Sequence, residues 1–213
     1  YRLPGNYTVT LEIDDGNSVS NSIVQTSAII TVNEPPTANA GLDRIVSPGE
    51  KVLFDGSATK DRDGNIKSYK WNFGDGNIAK GAKVTHSYQN SGKYRVRLVA
   101  IDNSETNCNI SEDVVNIRVN VPPVAVIKGR LEKVSYGVYD VIIFDATGSY
   151  DPDDDPLTFS WNFGDGQSAQ GPKATHRFKK PGKYTVKLRV DDGMRLKSSV
   201  SYNEVMVRIK QRK

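Results

Sequence analysis

The chain has 213 residues, 37% of them hydrophobic, with 29 Lys and Arg against 25 Asp and Glu and a mean hydropathy of -0.52. This composition predicts a water-soluble chain, and no apolar run approaches the ~20 residues that a membrane-spanning helix needs. The single cysteine, Cys108, excludes an internal disulfide, so the fold must rest on packing alone.

The positive charge is concentrated in the last part of the chain. Residues 122–213 carry 16 Lys and Arg against 11 Asp and Glu, whereas residues 1–121 carry 13 against 14. The basic tail at 208–213 is interpreted as a solvated strand end, and contact with an anionic polymer is the alternative. Because no aromatic residues are interleaved with the basic ones, nucleic-acid binding is not predicted.

Residues 1–34 carry two predicted strands, at 6–14 and 28–32. The segment PGNYTVTL at 4–11 matches PGKYTVKL at 181–188, so residues 1–34 are predicted to be the last strands of a partial upstream repeat. A lone two-stranded ribbon is marginal in water. We therefore expect at least one more repeat upstream in a longer protein.

Two complete copies of one pattern follow. The run WNFGDG occupies residues 71–76 and returns at 161–166, and a diproline precedes each copy. Alternation of Trp and Phe with a polar residue predicts a strand with one buried face, and Gly-Asp-Gly predicts a tight turn. The period is longer than the roughly 20–50 residues of a solenoid. It predicts two domains, 35–121 and 122–213, joined by stiff diproline links.

The predicted strands are short and separated by turn residues. In the first complete domain they fall at 37–40, 51–55, 66–73, 84–88, 94–101 and 113–120. In the second they fall at 124–128, 140–145, 157–163, 174–178, 184–190 and 202–209. Val114 and Ile117 depart from strict alternation, which predicts a bulge or a register change there. This spacing of strands and turns favours an all-β sandwich.

The WNFGDG run, the His-x-Tyr/Phe that follows it and the Gly-Lys-Tyr at 92–94 and 182–184 together resemble tandem PKD (polycystic kidney disease-like) domains; Ser91 departs from the usual Pro. The resemblance implies immunoglobulin-like β-sandwiches in a linear array, of the kind found in cell-surface and secreted proteins as spacers, adhesion modules or substrate-binding accessories. The expected core and turn residues are Trp71, Phe73, Asp75, His86, Tyr94, Trp161, Phe163, Asp165, His176 and Tyr184.

An acidic loop ahead of each Trp strand is the candidate metal site. Ca²⁺ takes six to eight oxygen ligands, and closely spaced carboxylates supply several. The alternative is a plain turn. Arg62 offsets part of the charge in the first loop, so the second is the stronger candidate, and no cofactor other than calcium is expected. The candidate ligands are Asp61, Asp63, Asp151, Asp153, Asp154 and Asp155.

No catalytic site is predicted. His86 and His176 occupy equivalent positions in both copies, which favours a structural hydrogen bond, and neither has a nucleophile partner in the sequence. Asp75 and Asp165 are interpreted as turn residues, and Cys108 as an incidental loop residue. Triplets at 6–8 and 109–111 fit the N-glycosylation pattern.

The predicted function is that of a non-enzymatic, extracellular or cell-surface spacer and adhesion segment of a larger protein. Its expected partners are neighbouring repeats, a surface protein or an extracellular polymer. One alternative is an accessory module of a secreted hydrolase that grips polysaccharide or a collagen-like polymer; it requires exposed aromatics in a row, such as Tyr136, Tyr139 and Tyr150. Another is a strand-exchanging filament subunit, which the incomplete first repeat suggests.

Overall fold

A computed structural model describes residues 1–17, 23–129, 131 and 135–211. Within these residues the secondary structure consists of strands, isolated bridges and short 3-10 turns such as Lys197–Ser199. No helix among them is long and apolar enough to cross a membrane. The prediction of an all-β fold with tandem immunoglobulin-like sandwiches is confirmed. The last two residues of the predicted basic tail lie outside the described part of the chain.

The chain divides into two compact units. The first comprises Tyr1–Asp43, Lys51–His86 and Tyr94–Asn116, and the second comprises Arg44–Glu50, Ser87–Lys93 and Ile117–Lys213. The domain boundaries proposed from the repeat, 35–121 and 122–213, stay predictions.

The chain begins with a hairpin of two long strands, β1 (Gly5–Asp14) and β2 (Ile23–Val32). They pair antiparallel from Gly5↔Val32 to Asp14↔Ile23. The second strand is longer than the sequence predicts. Large apolar side chains on both strands are exposed, among them Val9, Leu11, Ile13, Ile23, Val24, Ile29 and Ile30.

The first sandwich has seven strands in two sheets, ordered β3-β9-β8-β5-β6 and β4-β7. Strand β3 runs parallel to β9, whereas β5 pairs antiparallel with β6 and β8. The strands are β3 (Arg44–Val46), β4 (Val52–Asp55), β5 (Ile66–Asn72), β6 (Ile78–Lys80), β7 (Lys83–His86), β8 (Gly92–Asp102) and β9 (Ile110–Val119).

The second sandwich repeats this topology, with sheets ordered β10-β16-β15-β12-β13 and β11-β14. Its short first strand is again parallel to its last one. The strands are β10 (Ser135–Gly137), β11 (Ile142–Asp145), β12 (Thr158–Asn162), β13 (Ser168–Gln170), β14 (Lys173–His176), β15 (Gly182–Asp191) and β16 (Val200–Lys210).

A buried tryptophan anchors each sandwich. Trp71 is 0% exposed and Trp161 is 1% exposed. The indole N–H of Trp71 donates to the Gly81 carbonyl at 3.1 Å, and that of Trp161 donates to the Gly171 carbonyl at 3.0 Å. Because an indole N–H must find a partner when it is buried, these two bonds permit full burial of the ring. A phenylalanine ring, Phe54 or Phe144, lies 5.6 Å from each indole.

Strict alternation along β15 supplies much of the second core. Val186, Leu188 and Val190 are fully buried, while Lys187 points outward. Burial of such side chains contributes about 1.5–3 kcal/mol each. Tyr184 and its counterpart Tyr94 are only half-buried. Phe73, Phe163 and the aromatic residues after the histidines, Tyr88 and Phe178, are buried.

The turn after each tryptophan strand requires glycine. Gly74 has φ +80°, and a Cβ there would lie 2.9 Å from the Arg95 carbonyl oxygen; Gly164 has φ +79°, and a Cβ would lie 2.7 Å from the Thr185 carbonyl oxygen. L-residues rarely adopt this backbone conformation, and the space is too small for a methyl group.

Two predicted strands, at 37–40 and 124–128, form only isolated bridges, Thr37↔Lys60, Val124↔Tyr150 and Lys128↔Asp145. Side chains take the backbone amides that a strand ladder would use: Ala38 donates to Ser111 Oγ and Ala40 to Asp113 Oδ2. The bulge or register change expected in β9 stays a prediction. Val115, Ile117 and Val119 are buried in regular alternation, and Val114 is half-buried.

Candidate cation site

The loop before β12 folds around one carboxylate. Asp151 Oδ1 accepts hydrogen bonds from the backbone N–H of Asp153 at 2.7 Å and of Asp155 at 3.4 Å. Asp154 occupies the left-handed region, with φ 60°. Aspartate tolerates this conformation and caps turns of this kind, so the acidic sequence folds locally into a tight loop.

Three of the four predicted carboxylates in this loop converge. Asp151, Asp153 and Asp155 each place an oxygen within 4.8 Å of the other two. Asp154 lies outside the cluster and is exposed. Carboxylate oxygens at this spacing suit a hard cation such as Ca²⁺.

Asp151 is the most buried residue of the cluster. Its side chain is 7% exposed, and its Oδ2 is buried without a hydrogen-bond partner. Burial raises the pKa of Asp151, and the charges of Asp155 and Asp192 raise it further, against the hydrogen bonds from the loop backbone. An unpaired buried oxygen costs about 1–3 kcal/mol, which a bound cation would offset.

Two residues that the sequence did not single out adjoin the loop. Asp192 follows β15 and is 3% exposed; Asn120 follows β9 and is fully buried. Asn120 Nδ2 donates to Asp192 Oδ2 at 2.8 Å, and the amide oxygen of Asn120 is buried without a partner. Local sequence carries no signal for either residue. The repeat indicates both, because Asn33 stands at the position equivalent to Asn120 and Asp102 at the position equivalent to Asp192.

An arginine side chain pairs with one carboxylate of the cluster. Arg118 Nη2 lies 2.5 Å from Asp155 Oδ1 and 2.6 Å from its Oδ2. The Arg118 side chain is 27% exposed and that of Asp155 is 8% exposed. The hydrogen bond to Asp155 raises the pKa of Arg118. The backbone N–H of Val121 donates to Asp153 Oδ2 at 2.7 Å.

The equivalent loop of the first unit is built alike but holds fewer charges. Asp61 Oδ1 accepts from the N–H groups of Asp63 and Gly64, and Asp61 Oδ2 is buried without a partner. Asn33 Nδ2 donates to Asp102 Oδ2 at 3.0 Å, as Asn120 does to Asp192.

That loop differs in sequence from the second at three positions, 62, 64 and 65. Asn65 stands where the second loop has Asp155. Arg62, which the sequence suggests as a partial neutraliser of this loop, pairs with Glu34 at 3.7 Å and is largely exposed.

The histidines lie elsewhere, against the WNFGDG turns. Nε2 of His86 lies 2.7 Å from Asp75 Oδ2, and Nε2 of His176 lies 2.8 Å from Asp165 Oδ2. The rings of His86 and Phe73 stack at 4.2 Å, and those of His176 and Phe163 at 4.1 Å. The carboxylates are thereby held at the turn.

Burial raises the pKa of Asp75 and Asp165, but hydrogen bonds from the histidines and the turn backbone outweigh it, so both pKa values lie below the ordinary carboxyl value.

The remaining candidates are dispersed. Cys108 is exposed. Asn109 is half-buried, with its amide donating to the Ser104 carbonyl at 3.1 Å. Tyr139 and Tyr150 are each 56% exposed, and Tyr202, which no sequence pattern singles out, is 69% exposed. Tyr136 is half-buried, and burial raises its pKa.

The family profile described as "PKD domain" matches residues 33–118 and 120–207. Collagenase ColA from Clostridium perfringens (strain 13 / Type A) is 37% identical over 110 residues, which are 49% of this chain and 10% of that protein. Dyslexia-associated protein KIAA0319-like protein from Mus musculus is 26% identical over 223 residues, 96% of this chain and 21% of that protein. The chain thus spans a tenth to a fifth of these relatives' length.

Among solved structures, the PKD1 domain of Vibrio anguillarum Epp is 28% identical, with a TM-score of 0.36 over 43% of this chain and 100% of that one. The PKD1 domain of the Vibrio cholerae metalloprotease PrtV is 32% identical, with a TM-score of 0.34 over 40% of this chain and 96% of that one. Since the family profile covers most of the sequence in two consecutive matches, the chain belongs to the PKD domain family and carries two such domains in tandem.

Proposed function

We propose that this chain is a non-enzymatic, extracellular spacer and adhesion segment of a larger protein. The observation that carries the proposal is the pairing of each histidine with an aspartate of the WNFGDG turn, at 2.7 Å and 2.8 Å, in both sandwiches. The groups best suited to acid–base chemistry are therefore engaged in the same structural bond twice. A duplicated bond of this kind serves folding, whereas a catalytic site has no need of it in each repeat.

Single-molecule pulling tests the spacer role. Two sandwiches that fold separately should give two unfolding events, each releasing about 300 Å of chain at ~3.3–3.6 Å per residue. Trp161→Ala should remove or weaken one event and leave the other unchanged. A single event for the wild-type chain would contradict the proposal.

We further propose that the second acidic loop binds Ca²⁺. Asp151, Asp153, Asp155, Asp192 and the amide oxygen of Asn120 would supply ligands, and water would complete the six to eight that calcium takes. Support comes from the buried, unpartnered oxygens of Asp151 and Asn120, which are acceptors without donors. Isothermal titration with CaCl₂ should show binding that Asp151→Asn abolishes, while Asp154→Asn retains it.

The second candidate function is attachment of a secreted hydrolase to its polymer. It draws on the collagenase relative, which matches 49% of this chain, and on the exposed rings of Tyr139, Tyr150 and Tyr202. Co-sedimentation with insoluble collagen and with cellulose or chitin tests it. Retention that is lost on changing these tyrosines to Ala would favour attachment over the spacer role; no retention would exclude these polymers as ligands.

A further inference from the structure

We propose that Arg118 is a built-in competitor of the cation at the second acidic loop. The inference rests on the calcium proposal above and names the residue that sets the affinity of that site. Arg118 holds Asp155 through both carboxylate oxygens, at 2.5 and 2.6 Å. Since Asp155 is also one of the three converging carboxylates, a cation that takes an oxygen of Asp155 must share it with the guanidinium or displace it.

Besides its converging carboxylates, the site contains two buried oxygens that have no hydrogen-bond partner. Asp151 is 7% exposed with one oxygen unpartnered, and the unpartnered amide oxygen of Asn120 belongs to a side chain that is 0% exposed. Both are acceptors that lack a donor. Arg118 satisfies Asp155 but leaves these two oxygens unsatisfied, so the guanidinium compensates charge without replacing a metal ion.

The first unit has neither member of this pair. The position equivalent to Arg118 is Thr31, counted back from Asn120 to Asn33, and the position equivalent to Asp155 is Asn65. The second loop thus has a carboxylate at Asp155 and a guanidinium at Arg118 where the first unit has two uncharged residues, Asn65 and Thr31. The added carboxylate increases the number of anionic ligands, and the added guanidinium opposes their use.

Electrostatics sets the direction of the effect. The charges of Asp153 and Asp151 as well as Asp155 raise the pKa of Arg118, so its positive charge acts on the whole cluster. Removing a positive charge a few ångströms from a divalent cation relieves repulsion that is substantial where solvent is largely excluded. The Arg118 side chain is only 27% exposed, so screening is limited.

Calcium titration of Arg118→Thr tests the proposal, with Thr chosen because the first unit has it. The Kd for Ca²⁺ should fall about tenfold, the change that 1.4 kcal/mol produces. In chelator the variant should melt at a lower temperature than wild type, because the Asp155 charge has lost its partner, and calcium should raise its melting temperature by more. Arg97→Thr is the matched control: it removes an arginine from the exposed pair with Glu112 and should leave Kd unchanged.

The outcomes separate the two proposals. If wild type binds calcium and Arg118→Thr binds equally or more weakly, Arg118 is no competitor, while the calcium site stands. If neither protein binds calcium at millimolar concentration, both proposals are overturned. The double variant Arg118→Thr/Asp155→Asn gives these two positions the residues of the first unit, and its affinity for calcium should be weaker than that of Arg118→Thr alone.

Discussion

The two sandwiches have cores of the same design and differ in the loops before their tryptophan strands. In each, the tryptophan indole donates a hydrogen bond to a glycine carbonyl, and a phenylalanine ring lies 5.6 Å from the indole. In each, a histidine is also hydrogen-bonded to the aspartate of the turn. The loops before the tryptophan strands diverge: Asp155 paired with Arg118 in one unit is matched by Asn65 and Thr31 in the other. Packed interiors tolerate little change in volume, whereas loops change charge at low cost. Function that differs between the repeats should therefore lie in the loops.

The largest expected effect tests the shared interior. Trp161→Ala should destabilise its sandwich by about 3–5 kcal/mol, because it removes a fully buried ring and leaves a cavity. Trp71→Ala should cost the other sandwich a similar amount, since the two indoles have the same burial and the same bond. Urea unfolding followed by circular dichroism measures both. Tyr202→Ala, at an exposed site, is the control and should change stability by less than about 0.5 kcal/mol. Unequal tryptophan effects would show that the interiors are not equivalent.

The next largest effect is the stabilisation that calcium should give through the second acidic loop. At a free calcium concentration of 100 times Kd, binding stabilises the folded state by about 2.7 kcal/mol. Asp151→Asn should lose this gain, and Asp154→Asn, outside the cluster, should keep it. Thermal unfolding in calcium and in chelator makes the comparison.

Without calcium, Asp151→Asn should have the opposite effect on stability. Because the pKa of Asp151 is raised in the folded state, its charge destabilises that state above the ordinary carboxyl pKa. Wild-type stability in chelator should therefore rise relative to Asp151→Asn as the pH falls through the raised pKa. A variant that is much less stable than wild type in chelator at neutral pH would contradict this account.

A smaller effect is expected at the turn glycines. Gly164→Ala should cost about 1–3 kcal/mol, since φ is +79° and the new Cβ would meet the Thr185 carbonyl oxygen at 2.7 Å. Gly166→Ala is the matched control, with φ +88° and open space around it, and should cost about 1 kcal/mol. Equal losses would mean that backbone conformation alone matters here and the close contact with Thr185 does not.

The sequence predicts strands well where buried and exposed side chains alternate over many residues. Long strands such as β8 and β15 alternate for ten residues or so, and their inward faces are legible. The three-residue strands β3, β6, β10 and β13 are too short to show a period, and none was predicted. The segment at 37–40 has strand-like composition, but Ser111 and Asp113 capture its amides, and residues that distant in sequence give no local signal.

The same limit applied to the candidate site. The carboxylates of the loop are adjacent in sequence and were found, whereas Asn120 and Asp192 reach it from β9 and β15. Arg118 was missed for the same reason: nothing near residue 118 indicates that Asp155 is its partner. Only alignment of the repeats with each other pairs Asp102 with Asp192 and exposes the exchange at Asn65 and Thr31.

The smallest effect concerns the histidine–aspartate pairs, which the comparison predicts to be equivalent. The folded-state pKa of Asp165 lies below its ordinary value, so the pair's contribution is fully present above the unfolded pKa of about 3.9 and is lost as the pH falls through the lower folded value. Asp165→Asn should cost about 1.5 kcal/mol at pH 7, as expected for a hydrogen bond to a charged group.

The difference between wild type and Asp165→Asn should shrink steadily below about pH 4, where the carboxylate of the unfolded chain protonates while the folded one still holds its charge. Asp75→Asn should show the same pH profile, because Asp75 likewise pairs with a histidine and a turn N–H, and its pKa is shifted in the same direction. Glu204→Gln is the control: its pair with Lys187 spans 4.0 Å with both side chains about two-thirds exposed, so its loss should cost under about 0.5 kcal/mol. Urea titrations at a series of pH values measure all three. A pH-independent loss in Asp165→Asn would mean that the variant acts through packing against Phe163, and the charge of the turn would then have no part in holding the histidine.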